Sequence, residues 1–440
     1  MKFYNRINEL AELERIRNLS FNDYSRMTVV TGRRRIGKTS LVMKSVEYTP
    51  TVYLFVGRKN EATLCAEFAP AIASSLDTFV PEGIQSFRSL FQYLMELATQ
   101  RSFNLVIDEF QEFYNINESV FSDMQNIWDS YRKKTHMNLI VSGSVYSLMQ
   151  KIFQNSKEPL FGRADNIIKL AVFDIVTLKK IMQDYYPQYS NDDLLSIYTF
   201  TGGIPKYIEL FCDNDMLDVD RMIEFMVREN SPFIEEGKNL LIEEFGKNYA
   251  TYFSILSAIS GGINTQPKIE SALGNKSIGG QLKRLIEDYN IIVRQRPVFS
   301  KEGTQAVRYE IQDNFIRFWF NYFDRHRSLI EIKNFQGLRK IIKADFPTYS
   351  GLMLERYFKQ KLAESFQFRE IGSWWGLKNE QNEIDIVALK LQKNQALVAE
   401  VKRRKKNFKP DLFAAKVEHL QHKALAKYTI ETALLSLEDM

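Results

Sequence analysis

The sequence is poor in the groups that mark secreted or metal-stapled proteins. Only two cysteines, Cys65 and Cys212, occur in 440 residues, far apart and outside any Cys-x-x-Cys or Cys/His spacing. Neither a disulfide framework nor a zinc site is indicated, and both thiols read as reduced core residues. No apolar stretch approaches the roughly 18 to 20 uninterrupted residues of a membrane-spanning helix. Residues 1–10 carry charge and asparagine where a signal peptide needs an apolar run. A cytoplasmic protein without a membrane partner is therefore expected. Excess charge is scarce too: 59 basic against 54 acidic residues leave +5, too little to name a partner. There are no internal repeats and no low-complexity linker.

The 45% hydrophobic and 26% charged fractions fit a globular chain. Its 440 residues exceed one ordinary core, so roughly two to four domains are expected. Residues 1–175 alternate short apolar runs, at 27–31, 52–56, 105–108 and 139–142, with longer amphipathic stretches. That is the pattern of buried parallel strands joined by crossover helices. From 176 to 245 the strand signal vanishes and apolar residues recur at helical spacing, which predicts a helical lid. Residues 249–260, 267–273 and 278–289 predict three short helices, and 291–296 and 307–311 predict a hairpin turning at Glu302-Gly303. Three helices and a hairpin over 246–330 imply a winged helix. The aromatic stretch 315–323 reads as a connecting helix, and 345–440 as a last α/β unit.

The most specific pattern is Gly32-Arg33-Arg34-Arg35-Ile36-Gly37-Lys38-Thr39, with Ser40 opening the helix that follows. It fits G-x-x-x-x-G-K-[ST] and lies directly after a predicted strand, where a P-loop must lie. The glycines let the backbone N–H groups surround phosphates, Lys38 neutralises their oxygens, and Thr39 offers its hydroxyl to Mg2+. ATP with Mg2+ is the expected ligand. The strand 105–108 ends in Asp108 and Glu109: Asp108 is the expected magnesium partner and Glu109 the group that polarises the attacking water. Ser142 or Ser144, at the end of the next strand, is the candidate γ-phosphate sensor. Arg163 is a candidate for stabilising transition-state charge, from this subunit or a neighbour in a homo-oligomer.

In the last unit, Glu383 and Asp385 fall on one face of a predicted strand and Ile384 and Ile386 on the other. Glu400 and Lys402 share a face of the next strand. Two carboxylates can hold Mg2+ or Mn2+ against a phosphate while a lysine steadies developing charge. Basic positions that could meet DNA phosphates are the run 402–406, Lys283 and Arg284 on the third predicted helix, and Arg294 and Arg296 beside the wing. A solvated face, or a winged helix that only packs against protein, explains the same charges.

Two resemblances sharpen this outline. Phe3-Tyr4-Asn5-Arg6, the P-loop, Asp108-Glu109-Phe110-Gln111, Ser142-Gly143-Ser144, Leu160-Phe161-Gly162-Arg163 and Gly202-Gly203-Ile204-Pro205 together resemble the archaeal-type ATPases, near the AAA+ and STAND NTPases. The resemblance implies that Arg6 and Pro205 lie near the nucleotide, although Asn5 stands where many members have glycine. Glu355 on a helix, then Asp385, then Glu400-x-Lys402, with Trp374-Trp375 before them, resembles the PD-(D/E)XK nuclease fold. It implies Glu355, Asp385 and Glu400 as metal ligands and Lys402 as a catalytic group. The expected architecture is α/β: a P-loop parallel sheet, helical lid, winged helix and restriction-endonuclease-like domain. The expected activity is an ATP-driven switch or motor on DNA, and the alternative is a STAND-like signalling ATPase whose C-terminal domains bind protein.

Overall fold

A computed structural model describes residues 1–246, 249–301, 303–304, 306–376 and 382–440. Two compact units emerge, one of residues 3–172 and one of residues 1–2 with 173–440.

The first unit is a five-stranded sheet of β1 (Arg26–Thr31), β2 (Thr51–Phe55), β3 (Phe103–Asp108), β4 (Met137–Gly143) and β5 (Asn166–Lys169), in the order β2-β3-β4-β1-β5. All pairings are parallel. Side chains alternate between two cores, as a sheet covered on both faces requires. Met27, Val29, Leu105, Ile107, Leu139 and Val141 pack with Leu64, Phe91 and Trp128 on one face. Val30, Val106 and Ile140 pack with Leu13, Leu41 and Val42 on the other. Because β4 lies between β1 and β3, the strand ends that carry the P-loop and Asp108 flank the end that carries Ser142. Parallel strands bring all these C-terminal ends to one edge, where such sheets bind ligands.

The second unit begins with helices Ile175–Tyr185, Asn191–Thr201, Pro205–Asp213, Val219–Met226 and Glu236–Phe245. In Asn191–Thr201 every residue from Asp193 onward is buried, and Ser190 and Asp193 close its N-terminus as a capping box. Helices Tyr249–Ser260, Gln266–Ala272 and Gly279–Glu287 follow, with an antiparallel ribbon of β6 (Ile292–Gln295) and β7 (Arg308–Ile311). Of the predicted turn, Glu302 lies outside the described residues. The aromatic stretch is not one regular helix: Asn314–Phe318 is α-helical and Trp319–Asp324 a π-helical turn, whose Trp319 indole donates to Ile234 O at 2.6 Å.

The 30-residue helix Phe335–Glu364 runs through position 345, so the expected domain boundary falls inside a continuous element. It packs on β8 (Phe368–Trp374), β9 (Ile384–Lys390) and β10 (Gln395–Lys402). The sheet order is β11-β10-β9-β8; β11 (Thr429–Ser436) runs parallel to β10 after the helix Pro410–Lys423, and the remaining pairs are antiparallel. The chain after β6 docks here. Val298 N donates to Ser373 O at 3.0 Å and its side chain joins Trp374, Ile384 and Phe413 in one core.

Candidate functional site

The P-loop geometry follows from two glycines. Gly37, at φ 87°, adopts the left-handed conformation that ends the loop and starts the helix Lys38–Ser45. Gly32 runs so close to Leu170 that a Cβ would stand 3.0 Å from its carbonyl oxygen. Lys38 is buried, and its Nζ donates to Gly32 O at 2.9 Å and Arg33 O at 3.0 Å, so the amine lies across the mouth of the loop. Thr39 and Ser40 are exposed in the first turn, Ile36 is buried, and Arg34 is exposed between the partly covered Arg33 and Arg35. Arg6 is buried behind the loop, donating to Ile36 O at 3.5 Å and Ala171 O at 2.7 Å.

Asp108 is the hub. Its Oδ2 accepts from Thr39 Oγ1 and from Tyr53 Oη, each at 2.8 Å. Its Oδ1 accepts from Glu109 N at 3.0 Å and from the Ser142 hydroxyl. Burial and the adjacent Asp108 carboxylate push the Tyr53 phenol well above its ordinary value, so Tyr53 serves as a donor. A carboxylate beside a threonine hydroxyl is an all-oxygen donor set, which suits a hard cation such as Mg2+. Glu109 leaves the strand in a left-handed conformation at φ 54°. Its Oε2 accepts from Gln111 Nε2 at 2.5 Å and Ser144 Oγ at 2.7 Å. Each serine thus meets one acid: Ser142 meets Asp108 and Ser144 meets Glu109.

Arg163 donates to Asp129 at 3.0 Å and to Phe161 O at 2.9 Å, so its guanidinium is engaged in a partly exposed ion pair. Pro205 opens the helix Pro205–Asp213 in the other unit. Tyr53, Gln111 and Ser144 carry contacts at the two acids, and for Tyr53 no local motif pointed there. It reaches Asp108 only because β2 pairs with β3 in register at Phe55 and Asp108.

The C-terminal sheet gathers a second polar cluster. The β9–β10 ladder ends at Ile386 and Ala399. Beyond it Asp385 Oδ2 replaces a backbone acceptor, receiving Val401 N at 2.8 Å. Lys402 Nζ stands 2.8 Å from Glu400 Oε1 and 3.4 Å from Asp385 Oδ2, and Lys416 Nζ lies 3.3 Å from the buried Glu400. Burial and then Asp385 push Glu355 up to about 8, while burial and Glu400 raise Asp385. For Lys402, burial works against the charged form, but Glu400 and Asp385 outweigh it and hold the ammonium above its ordinary value.

Among the described residues no three His, Cys, Asp or Glu side chains are arranged to hold a metal ion, so Glu355, Asp385 and Glu400 do not form a ready-made three-ligand cluster. A lysine ammonium lies between two of these carboxylates instead. Within the basic run 402–406, Lys402 pairs as above, Arg403 with Asp192 and Ser350, and Lys405 with Glu438 and Asp439, while Arg404 and Lys406 are exposed. Glu383 turns away to Arg308, at 2.6 Å and 3.2 Å, where Trp375 covers the guanidinium.

Comparison with known proteins identifies the first unit as an ATPase domain. A family model described as an ATPase domain predominantly from Archaea matches residues 3–211. A second, of "Archaea bacterial proteins of unknown function", matches residues 319–412. An uncharacterized protein of Methanocaldococcus jannaschii is 31% identical over 418 residues, 91% of this chain and 87% of that protein. The solved Walker-type ATPase of Pyrococcus abyssi shares the fold at a TM-score of 0.55 and 19% identity, over 72% of this chain and 96% of that one. The ORC2 protein of Aeropyrum pernix, in its ADPNP-ADP complexes, aligns at a TM-score of 0.49 and 14% identity, over 78% and 96%. No helix among the described residues is long and apolar enough to cross a membrane. The chain belongs to one family with the Methanocaldococcus protein and carries, over residues 3–211, an ATPase domain of the type found predominantly in Archaea.

Proposed function

We propose that the chain is a Mg2+-dependent ATP hydrolase that works as a nucleotide-driven switch on DNA, with a nuclease-like C-terminal domain. The observation that carries the hydrolase is the convergence of Thr39, Ser142 and Tyr53 on Asp108, with Glu109 beside it. The N–H groups of residues 32–40 and the Lys38 ammonium bind the phosphates, and Arg6 braces the loop from behind. Thr39 and Asp108 would hold Mg2+, which when bound supplies charge neutralisation at the β and γ oxygens. Glu109 accepts a proton from water as the water oxygen bonds to the γ-phosphorus. The bond from that phosphorus to the bridging oxygen breaks, and the oxygen leaves on ADP. Arg163, paired with Asp129, would stabilise transition-state charge in this subunit or in a neighbouring copy.

The DNA-facing part of the proposal rests on residues 246–330 read as a winged helix and 345–440 read as a nuclease-like domain, behind an ATPase core at 1–175 and a lid at 176–245. Lys283, Arg284, Arg294 and Arg296 are exposed on the third helix and ribbon, which supports phosphate contact without base reading. Asp385 and Glu400, with Lys402 beside them, are the residues that would share a divalent ion and steady a phosphate. A STAND-like regulatory ATPase that cuts nothing is favoured by one specific observation: the segment after β6 is buried against the C-terminal sheet. Supercoiled and branched DNA incubated with Mg2+ or Mn2+, with and without ATP, separates the two. Nicking that needs the metal supports the nuclease, and intact DNA in every nucleotide state supports the regulatory ATPase.

A further inference from the structure

The motifs Asp108-Glu109-Phe110-Gln111 and Ser142-Gly143-Ser144 contain polar and small residues that the hydrolysis scheme does not use, Gln111, Gly143 and Ser144. Gln111 is 1% exposed, in the short 3-10 turn that Phe110 and Phe113 pin into the apolar core. Its amide nitrogen donates to Glu109 Oε2. The orientation is set by chemistry: a carboxylate only accepts, so the flipped amide would press oxygen against oxygen. The amide oxygen is then buried and accepts no hydrogen bond. It lies over the Cα of Gly143, where an added Cβ would come within 2.3 Å of it and 2.4 Å of Met149 Sδ. Gly143 has no left-handed backbone, so close approach, and not conformation, calls for glycine here. Ser144, the next residue, supplies the second donor to Glu109 Oε2. Glu109 Oε1 accepts no hydrogen bond among the described residues.

We infer that Gln111 and Ser144 are positioning residues that clamp Glu109 Oε2 and so present Oε1 to the attacking water, and that Gly143 is glycine to seat the Gln111 amide beside Met149. The inference rests on Glu109 as the general base. Two donors on one oxygen fix a side chain that otherwise rotates about three bonds, leaving the other oxygen for proton transfer.

Steady-state hydrolysis and ATP-binding calorimetry on the full chain test it. Gln111→Leu lowers kcat roughly 100-fold, the loss expected when a catalytic group shifts by about 1 Å, with KM and the ATP Kd unchanged. Ser144→Ala lowers it by a smaller factor and Ser144→Thr, which keeps the hydroxyl, recovers most of the rate. In a Glu109→Gln background, Gln111→Leu costs nothing further, because the group it positions is already gone. Parental kcat in Gln111→Leu, or a further loss of the same size in the Glu109→Gln background, overturns the clamp while the base assignment stands. Parental turnover in Glu109→Gln alone removes the base assignment and the clamp with it.

Discussion

Thr39 Oγ1 donates to Asp108 Oδ2 at 2.8 Å, joining the end of the P-loop to the end of β3 across 69 residues of sequence. If this pair holds Mg2+, Asp108→Asn leaves a weaker donor and lowers metal-dependent turnover roughly 100-fold or more, the range for losing one preorganised charge-stabilising group. Thr39→Ser, which keeps the hydroxyl, retains most activity, and Thr39→Ala does not. Equal turnover across a Mg2+ titration of all three variants would contradict the assignment.

Lys38 is buried against the loop carbonyls. Removing its ammonium leaves phosphate charge unopposed, which costs about 2–5 kcal/mol when one partner of a buried charged pair is truncated. Lys38→Ala therefore weakens ATP binding by on the order of 100-fold or more, as calorimetry would read. Unchanged affinity would show that the lysine only ties the loop together.

At the C-terminal sheet, Asp385→Ala is expected to abolish the Mn2+ binding that is additional to the Thr39–Asp108 site, and any DNA nicking, while leaving ATP turnover at the parental level. The two clusters draw on different strands and different compact units. Lys402→Ala is expected to keep the metal and lose nicking rate. Calorimetry with Mn2+ on the full chain checks the first step; the same number of Mn2+ ions bound, at the same affinities, by the parent and Asp385→Ala would remove Asp385 from the ligands.

Glu355 gives a pH dependence of defined sign. Its folded value, about 8, lies above the ordinary 4.5, so between these the folded chain keeps a proton that the unfolded chain has released. The stability it contributes is fully present below the lower value and is lost as pH rises through the higher one. Between about pH 5.5 and 8.5 the parent should lose a few °C more in Tm than Glu355→Gln, which carries no titrating group. Parallel profiles would place Glu355 in a solvated setting.

The proposed nucleotide site was legible in the sequence because its constraints are local. Gly37 must be left-handed, Lys38 and Thr39 must follow at once, and Asp108 and Glu109 must end an apolar strand. What was not legible depends on sheet order and distant pairing. Tyr53 reaches Asp108 only through the β2–β3 register. Lys416 meets Glu400 only because the helix Pro410–Lys423 crosses back between β10 and β11. Arg403 and Lys405 of the basic run looked available because their partners, Asp192, Glu438 and Asp439, lie far along the chain. Position 345 looked like a boundary because the earlier turns of Phe335–Glu364 carry no strand signal and no motif. Gln111 stood inside a quoted motif, but its role depends on Gly143, one strand away.

The central claim is that Glu109 is the base and Asp108 its neighbouring metal partner, so the decisive measurement is the Glu109→Gln variant assayed for ATP binding and for turnover in parallel. The account predicts ATP affinity within a factor of about two of the parent and a loss of turnover on the order of 10²- to 10⁴-fold, the contribution of general base catalysis. Hydrolysis at the parental rate with ATP bound normally would contradict it.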